Sequence, residues 1–239
     1  MQIDVFTIFP SLIENFAKES VLGRAEKRGL LHINCHDLRD GASGNHLSVD
    51  DSPFGGGAGM VLKPEPIFKV VERVNPSRPL FLLSPTGSVF NQAKAVEFSK
   101  LKGFSLICGR YEGVDQRVKD HLIDGEISVG DFILSGGEVA ALLIIESVTR
   151  LIPGVMGNNE SSEEESFSDG LLEYPQYTRP WDFRELTPPD ILRSGDHEKI
   201  KQWRKGMSLK LTIEKRPDLI EARGGLTAEE KKLVERSKK

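Results

Sequence analysis

Gln2-Ile3-Asp4-Val5-Phe6-Thr7-Ile8-Phe9, stopped by Pro10, is the stretch that decides the fold class. Its β-branched and aromatic residues alternate, which predicts a strand, and Pro10 is suited to the first turn of a helix running through Phe16. A second strand is expected over residues 30–38. Outward from this strand, helix, strand unit, residues 64–74 carry helical apolar spacing, 79–83 form a short buried-strand run, 91–99 read as a helix and 104–108 as another apolar strand. That alternation predicts an α/β domain with a mostly parallel sheet flanked by helices. Residues 136–152 form a long apolar helix, with a face for the core or for a second copy of the chain.

The rest of the chain is different. Of 239 residues, 32 are Lys or Arg and 36 are Asp or Glu, a formal charge of -4, which argues against a uniformly basic nucleic-acid coat. The charge is unevenly placed: residues 171–239 hold 16 basic and 12 acidic side chains, net +4, which leaves residues 1–170 at net -8. Between them, Asn158 to Ser166 is a polar, acidic run without apolar periodicity, a linker by composition. Short helices are expected at 188–192, 197–204, 217–222 and 227–237, with Thr187 and Thr227 as N-caps. Cys35 and Cys108 belong to no metal-binding or disulfide pattern, and no apolar stretch is long enough to span a bilayer; a soluble protein of a reducing compartment is expected.

Glycine marks the chemistry. Six of the 23 glycines fall in residues 41–59 and seven in 103–137, and such clusters after strand ends let a backbone approach a ligand. Three clusters stand out: Ser84-Pro85-Thr86-Gly87, Gly109-Arg110-Tyr111-Glu112-Gly113, and Gly130-Asp131 with Ser135-Gly136-Gly137. There is no GxGxxG, Walker or GxSxG motif, and His121 and His197, in helix-like segments, have no partner at metal-ligand spacing, which disfavours dinucleotide, P-loop, hydrolase and zinc-protease chemistry.

Eight segments then carry a resemblance: Asn45-His46, VDDSPFGGGAGM (49–60), LLSPTG (82–87), CGRYEGVDQR (108–117), SVGDFILSGGE (128–138), IPGV (152–155), SFSDGLLEYPQYTRP (166–180) and SGDHEKIKQWR (194–204). In this order the chain resembles the bacterial tRNA (guanine-N1)-methyltransferases of the SPOUT superfamily, almost end to end. The resemblance implies a trefoil-knotted catalytic domain over 1–157, a flexible acidic linker over 158–170 and a helical tRNA-binding domain over 171–239. It implies S-adenosylmethionine as methyl donor, held by Leu83, Ser84 and Pro85, by Gly109, Tyr111 and Gly113, by Val129, Gly130, Asp131, Phe132, Ile133 and Leu134, and by Gly136 and Gly137. Phe54 and Phe132 stand where family members often carry Tyr.

The same resemblance implies a cytoplasmic homodimer with shared active sites, acting on N1 of the guanosine immediately 3′ of the anticodon, position 37. Removing the N1 proton and offsetting charge at O6 calls for a base and a cation. The family's cation corresponds to Arg150. Its base, an Asp before Ser-Phe, corresponds to Glu165, one methylene longer; Glu165 could act with longer reach, Asp169 could substitute, or the carboxylate could orient the base. Glu112 is the candidate ligand of a possible Mg2+. His46 and Asp50 are expected near the target guanine, and Tyr177, Arg179, Lys199, Lys201 and Arg204 against the rest of the tRNA. Two alternatives remain open: a non-catalytic tRNA-binding protein of this fold, and a knotted methyltransferase acting at another RNA position.

Overall fold

The computed structural model describes residues 1–44, 46–157 and 165–236. Asn45, most of the expected linker (158–164), Ser237 at the end of the last expected helix, and residues 238–239 lie outside the described residues. The chain divides into two compact units, Met1–Gly157 and Asn158–Lys239.

In the first unit the expected opening is present: β1 (Gln2–Thr7), α1 (Pro10–Ala17) with Pro in its first turn, and β2 (His32–Asp37). The sequence reading passed over α2 (Ser20–Lys27), between them. Next come the two-residue strands β3 (Asp50–Asp51) and β4 (Val61–Leu62), then α3 (Pro64–Val74), β5 (Leu80–Val89), α4 (Gln92–Ser99) and β6 (Gly103–Cys108). The unit continues with α5 (Gln116–His121), β7 (Gly125–Ser128) and α6 (Glu138–Thr149).

Five strands form a sheet in the order β2-β1-β6-β5-β7, every pair parallel. Strand alternation sorts the core into two layers. Ile3 and Val5 of β1 with Phe104, Leu106 and Cys108 of β6 face a cluster completed by α2, α4 and α6 through Leu22, Phe98, Ile144 and Ile145. Phe6, Leu80, Leu82 and Ile107 face the other, completed by Ile67 and Val70 of α3 and Val118 of α5. Each of these fully buried side chains contributes about 1.5–3 kcal/mol relative to exposure. Asp4, buried in this apolar setting, accepts hydrogen bonds from His36 Nε2 (2.9 Å), Gln2 Nε2 (3.1 Å), Asn34 Nδ2 (3.2 Å) and the Ser77 amide (3.3 Å).

The second unit holds α7 (His197–Lys215), α8 (Pro217–Ala222) and α9 (Ala228–Arg236). The expected helix at 197–204 is thus only the first part of α7. The expected helix at 188–192, with its Thr187 cap, is instead a single 3-10 turn, Asp190–Arg193, entered from Pro189. Pro188 and Pro189 in succession disfavour the α conformation before them. Thr227 does cap α9: its Oγ1 accepts from the Glu230 amide (3.1 Å), and Glu230 Oε2 accepts from the Thr227 amide (3.0 Å), a reciprocal capping box. No helix among the described residues is long and apolar enough to cross a membrane.

Candidate active site

The middle of β5 and the carboxyl ends of β6 and β7 open on one cleft of about 1250 Å3 within the first unit. Three segments wall it. Leu83, Ser84 and Pro85 lie inside β5, where its pairing with β7 shifts register between Leu83 and Ser88; Gly109, Tyr111 and Gly113 follow β6; Val129, Gly130, Phe132, Ile133, Leu134, Gly136 and Gly137 join β7 to α6. Of the residues expected at the methyl donor, only Asp131 does not line it.

Each segment is held from behind. Ser84 Oγ and Thr86 Oγ1 lie 2.7 Å apart, Thr86 Oγ1 donates to Glu126 Oε2 (2.7 Å), and Lys119 Nζ donates to the same oxygen (2.8 Å). Burial works to raise the Glu126 carboxyl, but these donors outweigh it and hold it below the ordinary glutamate value, so the group is an anion that anchors this part of β5. The β6 loop turns through Tyr111, a non-glycine residue at φ +59°, closed by the Gly113 amide donating to the Arg110 carbonyl (3.1 Å). A left-handed tyrosine on a cleft wall is backbone strain held in place by its surroundings. The third loop ends where the Gly137 amide donates to the Gly109 carbonyl (2.9 Å). A Cβ at Gly137 would lie 2.8 Å from Cys108 Cα, so only glycine lets α6 start this close to β6.

Behind the cleft sits a group the sequence reading did not single out. Glu138, the first residue of α6 and 1 % exposed, accepts from Thr7 Oγ1 (2.7 Å) at the end of β1 and from Arg110 Nε (3.1 Å) in the β6 loop. Arg110 lies across the Phe9 ring, its guanidinium carbon 4.5 Å from the centroid. One carboxylate therefore ties together β1, the β6 loop and α6. Its only trace in the sequence is a charge opening an apolar run, which reads equally as an exposed helix start.

The other expected residues are distributed as follows. Glu112 lines the cleft and is exposed; among the described residues no group of three or more His, Cys, Asp and Glu side chains could hold a metal ion. Asp50, half-buried on β3, and His46, exposed, do not line the cleft, whereas Asp51 does. Arg150 is the C-terminal cap of α6. Since Ala140, inside α6, still lines the cleft and the helix rises about 1.5 Å per residue, Arg150 lies about 15 Å along the helix from it.

In the second unit, the Glu165 carbonyl accepts from the amide (3.2 Å) and hydroxyl (2.8 Å) of Ser168, which closes a turn. Asp169 Oδ2 is 2.6 Å from Lys205 Nζ; burial raises its carboxyl, but Lys205 more than offsets this and holds it below the usual aspartate value. Lys199, Lys201, Tyr177 and Arg179 are exposed. Lys199 pairs with the helix-capping Asp196 at 2.9 Å. Arg204 is half-buried, its guanidinium 4.8 Å from the Tyr174 ring centroid, so part of its surface is used in packing this unit.

A parallel α/β sheet that opens on a glycine-walled cleft defines an α/β protein with a site for a small molecule. The family model described as tRNA (Guanine-1)-methyltransferase TrmD matches residues 1–222. Similar proteins named tRNA (guanine-N(1)-)-methyltransferase come from Dictyoglomus turgidum (50 % identical, covering 100 % of this chain and 97 % of that one), Geobacter sp. strain M21 (48 %, covering 98 % and 96 %) and Geobacillus kaustophilus (50 %, covering 92 % of each). The chain belongs to the tRNA (guanine-1)-methyltransferase family.

Proposed function

We propose that the chain transfers a methyl group from S-adenosylmethionine to N1 of the guanosine immediately 3′ of the tRNA anticodon, position 37, as a cytoplasmic homodimer with shared sites. The observation that carries this is the cleft in the first unit, whose three wall segments bring together the residues expected at the methyl donor. The cleft suits that donor: Tyr111, Phe132, Ile133 and Leu134 are exposed large apolar side chains beside main-chain N–H and C=O groups, a surface for an adenine face and edge. Bound there, S-adenosylmethionine supplies an electrophilic methyl group on its sulfonium.

The chain's own residues do the rest. Glu165 takes the N1 proton as the new N–C bond forms, and Arg150 offsets the negative charge that gathers on O6. Asp169 is the weaker candidate for the base, because its ion pair with Lys205 favours the carboxylate and opposes taking up a proton. The distance of about 15 Å along α6 between the cleft and Arg150 supports a site completed by the partner subunit. So does the apolar surface left open on packed neighbours: Leu12 and Phe16 on α1, Val139 and Leu143 on α6. Residues 1–157 then form the knotted catalytic domain, and the basic tail, through exposed Tyr177, Arg179, Lys199 and Lys201 with Arg204, neutralises tRNA phosphates. His46 and Asp50 face the bases beside the target, where a carboxylate matches guanine's N1–H and N2–H2 edge.

Single-turnover methyl transfer tests the assignment of the base. Glu165→Gln is expected to lower the rate about a hundredfold or more, with S-adenosylmethionine affinity unchanged and Asp169→Asn far less affected. Near-normal turnover of Glu165→Gln removes Glu165 from that role.

A further inference from the structure

The cleft has one wall feature that methyl-donor binding leaves unused. Phe54 is 99 % exposed, the most open of the large apolar residues among those described, and it lines the cleft. It stands at the head of a glycine run in which Gly55, Gly56, Gly57 and Gly59 all take left-handed backbone angles, φ +87°, +79°, +134° and +83°. Ordering four glycines costs more chain entropy than any other residue type would. The stalk of the loop is nevertheless firmly built. Asp50 pairs with Leu62 and Asp51 with Val61 across β3 and β4, the Lys63 amide donates to the Val49 carbonyl (2.8 Å), and the Gly56 amide to the Pro53 carbonyl (3.2 Å). That stalk is stitched to the β6 loop of the cleft: Glu112 N to Met60 O (3.0 Å), Leu62 N to Gly113 O (2.9 Å) and Asp115 N to Leu62 O (3.0 Å). A phenyl ring with open faces thus stands at the cleft rim on a hydrogen-bonded stalk.

We infer that Phe54 is a stacking platform for one unpaired nucleobase of the substrate RNA, holding the anticodon-loop strand at the cleft rim. This rests on the reading of the chain as a tRNA methyltransferase and adds a substrate contact to it. The surroundings select the occupant. Exposed Asp51 and Glu112 share the cleft lining with half-buried Lys63 and exposed Arg117, so carboxylates that accept the N–H edge of a base stand beside cations that suit its phosphates. A protein partner would need a contiguous apolar patch, whereas Phe54 is followed by three glycines and preceded by Pro53 and two exposed polar residues. A single ring with open faces is what one base requires, and stacking is indifferent to which base it is.

The test uses the whole protein and an unmodified tRNA transcript, with Phe54→Trp, Phe54→Tyr, Phe54→Leu and Phe54→Ala compared to the parent. The readouts are tRNA Kd, KM and kcat for tRNA, S-adenosylmethionine Kd, and mass in solution. Expected are Trp and Tyr within about twofold of Phe, Leu and Ala about five- to a hundredfold weaker for tRNA, and donor affinity and mass unchanged. A leucine variant equal to the parent overturns the proposal, since apolar bulk would then suffice. A change in mass overturns it in favour of a partner subunit as the occupant. A parent that binds tRNA without methylating it sinks the proposed function, while the Kd series still decides the role of Phe54.

Discussion

Glu138 is the residue on which the back of the cleft depends. Glu138→Ala leaves Arg110 and the Thr7 hydroxyl without their acceptor, and the expected loss in urea unfolding is about 2 kcal/mol, below the full cost of breaking a deeply buried pair because Arg110 keeps some access to water. Asp4 makes the fold acid-sensitive. Burial raises its carboxyl, but the hydrogen bonds from His36, Asn34, Ser77 and Gln2 prevail and hold it below 3.8. A lowered folded value means that its contribution is complete above that ordinary value and is lost as the pH falls through the lowered one. Unfolding measured from pH 6 down to pH 2 is therefore expected to be less steep in Asp4→Asn than in the parent. Burial also pushes the Cys35 thiol up to about 12, helped by Glu14 and Glu26, and lifts Cys108 well above the ordinary thiol value. Both cysteines should resist iodoacetamide at pH 8 until the protein unfolds, and rapid labelling of the native protein would contradict their placement.

At the scale of elements, α6 starts so close to β6 that a Cβ at Gly137 would meet the Cys108 backbone at 2.8 Å. Gly137→Ala is expected to force the two apart, lowering both thermal stability and donor affinity, whereas Gly29→Ala meets no neighbouring atom and, with φ +69°, should cost only local strain. The helices that open with Pro64 or Pro217, or with the cap Asn91, were legible in the sequence because propensity, cap and apolar period agree there. Helix α2 was not, since Gly23 and its charged residues blur the period, and strands of two residues such as β3 and β4 carry no period at all. The cleft loops after β6 and β7 were legible as glycine clusters at strand ends; Ser84–Gly87, read the same way, lies instead inside β5. The Thr7–Glu138 contact was not, because its partners lie 131 residues apart and meet only through the order of the strands.

For the whole molecule, the exposed apolar residues of α1 and α6 lead to an expected dimer mass in solution, converted to monomer by Leu143→Asp with loss of methyl transfer; a monomeric parent at micromolar concentration would contradict the shared site. Replacing Lys199 and Lys201 together by Gln should reduce the slope of log Kd for tRNA against log salt by about 2. The central claim is that this chain methylates one atom of one nucleotide. Its most direct test is methyl transfer from S-adenosylmethionine to two tRNA transcripts, with guanosine or adenosine immediately after the anticodon, followed by nucleoside mass spectrometry. The expected result is 1-methylguanosine from the first transcript only. Equal methylation of both transcripts, or none of either with tRNA and donor still bound, would contradict it.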